Sequence, residues 1–431
     1  MIKLNLNNVK YLNLSNERLI ESLFLTIEKE LSFQEKMPNN FVGWRSWPKN
    51  YDKKEFVAMK KIAKQWNKEM THSKKTNYLV VVGIGGSYLG SKAALDFIQG
   101  LYPNRNCEFM FLGNTMSSDY VFQCLKKLED ANFYVNVISK SGTTLEPSIG
   151  FHLVLDLLIK KYGEKEAATR IVSTTDAKKG VLVDISKKLD VPTFVIPDNI
   201  GGRYSVLTPV GVFPMLVAGI DVDAIFKGAQ QAMIDLKKPS INNPAYLYAY
   251  TRNILAKQGK RVETFVSFEM QMNFYNEFLK QLFGESEGKD RLGIWPTSCI
   301  YSTDLHSLGQ PMQEGPDFLF ETFIKIKRAC SNVVIEKTKD NLDGLNYLDG
   351  KNLHSINYAA YTGTLDAHSN DGQKSIIEIE IECMDAYNFG YLSQFFFNAC
   401  AISCLIHGVN PFDQNGVEVY KKNMFKLLGK K

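Results

Sequence analysis

The sequence lacks the features that mark several large classes of protein. Its seven cysteines form no Cys-x-x-Cys pair and have no histidine at zinc-finger spacing, so we expect no zinc module and a reducing compartment. The first ten residues lack the apolar core and the small-residue cleavage site of a signal peptide. The most apolar long stretch, residues 391–409, is interrupted by polar residues and predicts a buried helix rather than a membrane span. We therefore expect a cytoplasmic protein.

The sequence carries only a small surplus of positive charge. The formal net charge is +5, and the lysines and arginines are scattered. This surplus suits an anionic metabolite and falls short of the basic patch that nucleic-acid binding needs. With 45% hydrophobic and 23% charged residues, the composition is that of an ordinary globular protein. We expect neither a nucleic-acid nor a membrane partner.

The pattern of apolar residues predicts the organisation of the chain. A length of 431 residues predicts two domains. Apolar residues at three- and four-residue spacing predict helices over 17–35 and 54–70. Apolar runs alternating with helical patterns then predict strands over 78–82, 109–112, 133–138, 170–173 and 193–196. Such runs are typical of a parallel sheet covered by helices on both faces.

A helical stretch over 222–257 leads to a second set of elements. Strands are predicted over 261–268, 319–326, 332–336 and 375–382, and helices over 270–283, 386–407 and 416–428. We therefore expect an α/β fold with two doubly wound αβα sandwich domains, largely parallel sheets and helical segments at both ends. The predicted segments are an N-terminal arm (1–70), two domains (71–220 and 261–411), a helical connection (221–260) and a C-terminal helix (412–431) that packs back on the cleft. We expect the site in the cleft between the domains.

Two loops that follow predicted strands have the chemistry of an anion site. Residues 83–87 are glycine-rich and end in Ser87. Tyr88 breaks a dinucleotide fingerprint and Ser91 breaks the phosphate loop of ATPases, so a tight turn is the alternative. The second loop offers four hydroxyls and a lysine, on Ser139, Lys140, Ser141, Thr143 and Thr144. A capping box of Thr143 and Glu146 explains one hydroxyl, whereas a phosphate dianion needs all of these donors.

Arg203 and Glu285 are candidates for catalysis. Arg203 follows two glycines and can reach an oxygen whose charge grows during a reaction. A surface salt bridge is the alternative. Glu285 follows a helix that Gly284 is predicted to end, which leaves the carboxylate on a loop. It is a candidate general base, and an ordinary solvated loop is the alternative.

Two further residues, His306 and Lys421, are candidates that also have structural alternatives. His306 has a carboxylate nearby, on Asp304, but a lone histidine is usually structural. Lys421 follows a polar string at a predicted helix start and begins a basic tail. A solvated helix face would explain it as well.

Taken together, these strings resemble the phosphoglucose isomerase family, which is built from two sugar isomerase domains, over about residues 75–425. Residues 198–205 (DNIGGRYS) and 412–421 (FDQNGVEVYK) look like the two diagnostic signatures of the family. Between them, residues 281–289 and 304–310 are similar to its shorter bacterial branch. Departures are Ser141, where many relatives have threonine, and Glu287, where others have asparagine.

The resemblance implies reversible interconversion of glucose 6-phosphate and fructose 6-phosphate in glycolysis and gluconeogenesis. Ring opening and proton transfer through a cis-enediolate would need no metal or other cofactor. The resemblance makes Glu285 the base and Arg203 the stabiliser of the enediolate. It gives ring opening to Lys421 and to His306, which comes from the neighbouring subunit of a homodimer. It assigns substrate binding to Ser87, Ser139, Lys140, Ser141, Thr144, Gly202, Gln281 and Gln414.

Two other functions stay open at this point. A bifunctional phosphoglucose/phosphomannose isomerase is one, although the strings at 202–204 and 414–421 argue against it. A regulator that binds sugar phosphates without turnover is the other. Such a regulator needs neither Glu285 nor a ring-opening pair, and it usually carries a DNA-reading segment that this sequence lacks.

Overall fold

The computed structural model of the chain describes residues 2–38 and 40–429. They divide into two compact units. The first unit consists of Leu31–Ile234 and Asp385–Gln394, and the second contains the rest of the described chain. The predicted segment boundaries, near residues 70, 220, 260 and 411, stay predictions.

The described elements alternate along the chain as in α/β proteins. The strands are β1 (Lys3–Asn5), β2 (Asn77–Val82), β3 (Glu108–Leu112), β4 (Asn132–Ile138), β5 (Ile171–Thr175), β6 (Thr193–Val195), β7 (Val262–Ser267), β8 (Trp295–Ile300), β9 (Leu319–Ile326) and β10 (Ile376–Ile381). The helices are α1 (Glu17–Lys36), α2 (Trp47–Asn50), α3 (Lys53–Thr71), α4 (Leu89–Gln99), α5 (Ser118–Asp130), α6 (Leu145–Tyr162), α7 (Glu164–Thr169), α8 (Val181–Leu189), α9 (Pro209–Val217), α10 (Val222–Asp235), α11 (Pro244–Lys257), α12 (Asn273–Glu287), α13 (Leu305–Glu314), α14 (Leu353–Asp366), α15 (Ala386–His407) and α16 (Glu418–Leu427).

The sheet of the first unit is parallel throughout. Its five strands have the order β3-β2-β4-β5-β6, and every neighbouring pair is parallel. All six residues of β2 are buried, as expected for a central strand with helices on both faces. Val80, Val82, Leu112, Val135 and Val137 lie in its core. The predicted parallel sheet is confirmed.

The sheet of the second unit repeats this winding. Its order is β1-β10-β9-β7-β8. The strands β7 to β10 are parallel, and only β1 is antiparallel, paired with β10 at the edge. Ignoring β1 and β6, the strands of both sheets follow the order second-first-third-fourth along the chain. The predicted pair of doubly wound sheets is therefore confirmed.

Some predicted elements were wrong in detail. Residues 332–336 form no strand, because they lie in an exposed excursion after β9 where only Val334 makes an isolated bridge, to Asn352. The helical stretch 222–257 is two helices, since Pro244 starts a new one at α11. Strand β8 was missed because it contains Pro296 and is only partly buried at the sheet edge.

The most apolar helix, α15, is largely buried. Among the described residues it is the one helix that could cross a membrane by length and composition, and most of it lies inside the protein. An apolar helix that is covered on all sides is typical of a protein core. This agrees with the buried helix predicted from the polar interruptions.

Candidate active site

The first unit has a reversal of strand order beside β2. The chain leaves β2 to form β3 on one side and then returns to form β4 on the other. Open α/β sheets bind ligands outside the carboxyl ends of the strands at such a point. The loop that follows β2 contains Ser87, and the loop that follows β4 is Ser139 to Thr144, which we call the hydroxyl loop. The two predicted anion loops therefore leave the same edge of the sheet.

The hydroxyl loop is folded tightly on itself. Ser139 is buried, and its Oγ accepts a hydrogen bond from the Gly142 N–H at 3.0 Å. The hydroxyl oxygens of Ser141 and Thr143 lie 2.8 Å apart. Gly142 has a left-handed φ of +69°, and a Cβ there would lie 2.4 Å from the Leu182 nitrogen at the start of α8. The loop is thus held in one conformation by its own hydroxyls and by α8.

The predicted capping box at the start of α6 was wrong. The helix begins at Leu145, so Thr144, and not Thr143, occupies the position before it. No side-chain hydrogen bond caps α6 within the described part of the chain. The Thr144 hydroxyl is consequently not used as a cap, and the helix N-terminus favours negative charge.

Lys140 is held by Asp198, a residue for which no role was predicted. Its Nζ donates to the carbonyl oxygen of Asp198 at 3.1 Å and lies 3.5 Å from the Asp198 carboxylate. Both side chains are exposed, by 40% and 79%, so the pair is weak. A phosphate can therefore compete with Asp198 for this ammonium group. Asp198 was visible only as part of a signature string.

Arg203 is buried, so the surface-arginine alternative was wrong. It lies in the 3-10 turn Gly202–Tyr204 and is 3% exposed. Its guanidinium is 5.8 Å from the ring centroid of Tyr204, which stacks on Trp44 at 5.2 Å. Aromatic packing on this turn restricts the arginine to few conformations, as a preorganised positive group requires.

In the second unit, Glu285 lies on a helix and not on a loop. Helix α12 continues through Gly284 to Glu287, so the predicted helix end was wrong. Gly284 does not have the left-handed φ of a capping glycine. A Cβ at Gly284 would lie 3.4 Å from Pro296 of β8, which is ordinary van der Waals contact, so α12 packs on the sheet edge at this residue.

Gln281 and Glu285 form a hydrogen-bonded pair one helical turn apart. Gln281 Nε2 donates to Glu285 Oε1 at 2.9 Å, as i and i+4 side chains on one helix face can. Both side chains are half-buried. Gln281 Oε1 is buried and has no hydrogen-bond partner among the residues that the structure describes. The glutamine orients the carboxylate and leaves an acceptor for a further hydroxyl group.

Glu287, two residues later, is buried in an ionic network, so the solvated-loop alternative was wrong. Arg252 of α11 donates to Glu287 and to Glu263, whose oxygen lies 2.6 Å from Nη2. Both carboxylates and the guanidinium are almost completely buried. Burial alone would lower the pKa of Arg252, but the two carboxylates raise it overall. Arg252 thereby fixes the last turn of the helix that carries Glu285.

The loop that follows α12 is bound to the end of α15. The Gly293 N–H donates to His407 Nε2 at 3.0 Å, and His407 Nδ1 lies 3.0 Å from Asn253 Oδ1. Since a backbone N–H can only donate, Nε2 carries no proton and Nδ1 donates to Asn253. Burial lowers the pKa of His407. The neutral imidazole therefore joins two segments of the second unit.

Lys289 connects the same loop to the C-terminal segment. Its Nζ is 2.8 Å from Asp413 Oδ1 and also donates to the Asn410 carbonyl. Gln414, the residue after Asp413, is exposed. It precedes a 3-10 turn, and the helix α16 that follows this turn carries Lys421. Lys421 Nζ donates to Glu418 Oε1 at 2.7 Å.

His306 is exposed in the first turn of α13, and its role stays a prediction. The neighbouring Asp304 carboxylate accepts the Ile300 N–H at 2.6 Å and supports the turn before α13. His306 lies on a different element from the α12 pair and the C-terminal segment.

Comparisons with known proteins agree with these motifs. A family model described as phosphoglucose isomerase matches residues 46–321. The chain is 51% identical to the glucose-6-phosphate isomerase of Mesoplasma florum over 393 residues, 91% of each chain. It is 46% identical to that of Clostridium tetani, over 100% of this chain and 96% of the relative.

Two solved structures have the same fold. A hypothetical protein of Thermus thermophilus has a TM-score of 0.87 at 25% identity, covering 99% of this chain and 100% of its own. A glucose-6-phosphate isomerase of Chlamydia trachomatis has a TM-score of 0.76 at 21% identity, covering 96% of this chain and 85% of its own. At that identity the second likeness concerns the fold alone.

Proposed function

Because this chain belongs to the phosphoglucose isomerase family, we propose how its residues interconvert glucose 6-phosphate and fructose 6-phosphate, a step of glycolysis. The observation that carries the proposal is the Gln281–Glu285 pair, a half-buried carboxylate oriented by a hydrogen bond of 2.9 Å. An aldose–ketose isomerase needs such a base beside C1 and C2 of the open-chain sugar.

The phosphate group binds to the hydroxyl loop. Ser139, Ser141 and Thr144 donate hydroxyl hydrogen bonds, Lys140 supplies positive charge, and Ser87 and Gly202 contact the substrate nearby. The start of α6 adds backbone N–H groups that favour an anion. The phosphate is remote from the reacting carbons, so its binding energy can be used to position them.

Ring opening requires a proton to leave the C1 hydroxyl and another to reach the ring oxygen. We assign this transfer to Lys421 and to His306 of a second copy of the chain in a homodimer. The exposure of His306 in the first turn of α13 supports a role toward another subunit. Gln281 and Gln414 hold sugar hydroxyls while the ring opens.

Isomerisation then moves one proton between neighbouring carbons. Glu285 removes the C2 proton, and the C1 carbonyl oxygen takes the electron pair as an enediolate. The hydroxyl proton on O2 then passes to O1, and Glu285 returns its proton to C1, which leaves a C1 hydroxyl and a C2 ketone. A positioned base contributes about 10²- to 10⁴-fold. Arg203 stabilises the enediolate oxygen, and a preorganised donor of this kind is worth about 3–4 kcal/mol. Both residues are therefore needed.

A substrate assay tests this function. The purified protein, in buffer containing EDTA, should convert glucose 6-phosphate to fructose 6-phosphate, and mannose 6-phosphate should be a poor substrate. Comparable turnover of mannose 6-phosphate would instead identify a bifunctional isomerase. Binding of sugar phosphates without any turnover would identify a regulator.

A mixing experiment tests the homodimer and the source of His306. Glu285→Gln and His306→Ala variants are each expected to be inactive. Mixed dimers restore one site with both residues intact if His306 acts on the neighbouring subunit. Mixed dimers that stay inactive would place His306 in the site of its own subunit.

We further propose that the enzyme works in the cytoplasm.

A further inference from the structure

Lys289 joins the end of α12, the helix that carries the proposed base, to the C-terminal segment, which carries the proposed ring-opening groups. It lies two residues beyond the end of α12, the helix of Glu285. Its Nζ is 2.8 Å from Asp413 Oδ1 and donates to the carbonyl oxygen of Asn410. The lysine side chain is 15% exposed and the aspartate 43%. One ammonium group thus binds both a side chain and the main chain of the C-terminal segment.

The main chain at both ends of this link is already constrained. On the α12 side, the Lys289 N–H donates to the Glu287 carbonyl at 2.8 Å, and Glu287 is ion-paired with buried Arg252. On the other side, the Phe412 N–H donates to Asn410 Oδ1 at 3.0 Å. A displacement of Lys289 would therefore be transmitted to the segment that leads into Gln414 and Lys421.

We propose that Lys289, paired with Asp413, is a positioning residue for catalysis. It holds Gln414 and Lys421, which assist ring opening, at a constant distance from Glu285, which transfers the proton. The inference rests on the proposed function of these three residues. A misplacement of about 1 Å can cost about 10²-fold in rate, so a link between the two groups affects turnover even though Lys289 touches no reacting atom.

Turnover and binding should respond differently to the loss of this link. The phosphate contacts are assigned to the hydroxyl loop of the first unit, so KM for glucose 6-phosphate should change little in Lys289→Met. The catalytic groups of the second unit lose their mutual placement, so kcat should fall by up to about 100-fold, the loss that a misplacement of about 1 Å can cause. Lys289→Arg keeps a cation that reaches Asp413 and should recover most of kcat.

The chain contains a matched control in Lys260. Its side chain is 10% exposed, and its Nζ binds the carboxylate and the carbonyl oxygen of Asp317. This pair lies before β7, at the amino edge of the second sheet. Lys260→Met removes a link of the same chemistry and similar burial in the same unit, and its kcat should equal that of the unaltered protein.

The experiment measures kcat, KM and thermal unfolding for Lys289→Met, Lys289→Arg, Asp413→Asn, the Lys289→Met/Asp413→Asn double variant and Lys260→Met. We expect the larger kcat loss in Lys289→Met, which removes both contacts of the ammonium group, and a smaller loss in Asp413→Asn, which leaves the contact with the Asn410 carbonyl. The double variant should lose no more than Lys289→Met, because both substitutions act on one link. An unaltered kcat in Lys289→Met, or a loss equal to that of Lys260→Met, would overturn the inference. An unaltered protein that does not isomerise glucose 6-phosphate would instead refute the proposed function.

Discussion

A Cβ atom on Gly86 would lie 2.2 Å from the carbonyl oxygen of Gly202. The glycine loop after β2 and the turn that carries Arg203 are thus in direct backbone contact. Only glycine permits this approach, because any side chain would displace one of the two segments. The role of glycine in the 83–87 loop is therefore to bring the Arg203 turn against the sheet edge, in addition to exposing backbone amides.

Gly86→Ala should reduce both stability and turnover. Forcing a methyl group into this contact costs about 1–3 kcal/mol and shifts Arg203 away from its position. Gly201→Ala is the matched control, since a Cβ at Gly201 meets no atom within 4 Å. Urea unfolding and kcat, measured on both variants, check this expectation. Equal behaviour of the two variants would contradict the role given to the contact.

Lys140→Met and Asp198→Asn should change phosphate affinity in opposite directions. Loss of the ammonium group removes a charged hydrogen bond worth about 1.5–3 kcal/mol, so inhibition by inorganic phosphate should weaken about tenfold or more. Loss of the Asp198 charge frees Lys140 from an exposed pair worth about 0.2–1 kcal/mol, so inhibition should strengthen by up to about fivefold. Inhibition constants measure both effects. Lys126→Met, an exposed lysine of the same unit paired with Glu129, serves as the control.

Arg252→Met should strongly destabilise the protein. The substitution leaves Glu263 and Glu287 buried without their cation, and breaking a buried pair costs about 3–5 kcal/mol. Arg328, which is 69% exposed and 3.9 Å from Glu382, offers the comparison. Arg328→Met should cost at most about 1 kcal/mol. Chemical denaturation of the two variants gives the difference, and similar losses would mean that the buried network contributes little.

The stability of the protein should depend on pH through His407. Its pKa is lowered from 6.5 in the folded state, first by burial, so the unfolded chain binds this proton more readily. The free energy of unfolding should therefore fall as the pH drops below 6.5, until the lowered pKa is reached. His407→Gln keeps an acceptor for Gly293 and a donor for Asn253, and it should show a shallower fall. The free energy of unfolding of both proteins, measured over about pH 5 to 8, tests this. Parallel pH curves for the unaltered protein and for His407→Gln would contradict the role of His407.

Local patterns predicted the parallel strands well because those strands are buried on both faces. The run Asn77–Val82 is buried at every residue, so its apolar composition is sufficient. Strand β8 was missed for the opposite reason, since it is half-exposed and contains Pro296. The apolar run at 332–336 was wrongly predicted to be a strand, because it pairs with no strand of the described sheets.

The motifs nominate residues for the site, and these stay predictions, but the motifs do not show how those residues are supported. Gly284 suggested a helix end, but it does not have a left-handed φ and the helix continues to Glu287. Arg252 lies in a helical pattern that gave no sign of burial. Its partners Glu263 and Glu287 come from β7 and α12, and only the tertiary fold brings them together.

The most direct test of the account is the Glu285→Gln variant. Glutamine keeps the size of the side chain and a partner for Gln281, but it cannot carry the proton between C2 and C1. We expect glucose 6-phosphate to bind with nearly unaltered affinity in calorimetry while kcat falls by about 10²- to 10⁴-fold. Turnover close to that of the unaltered protein would contradict the assignment of Glu285 as the base.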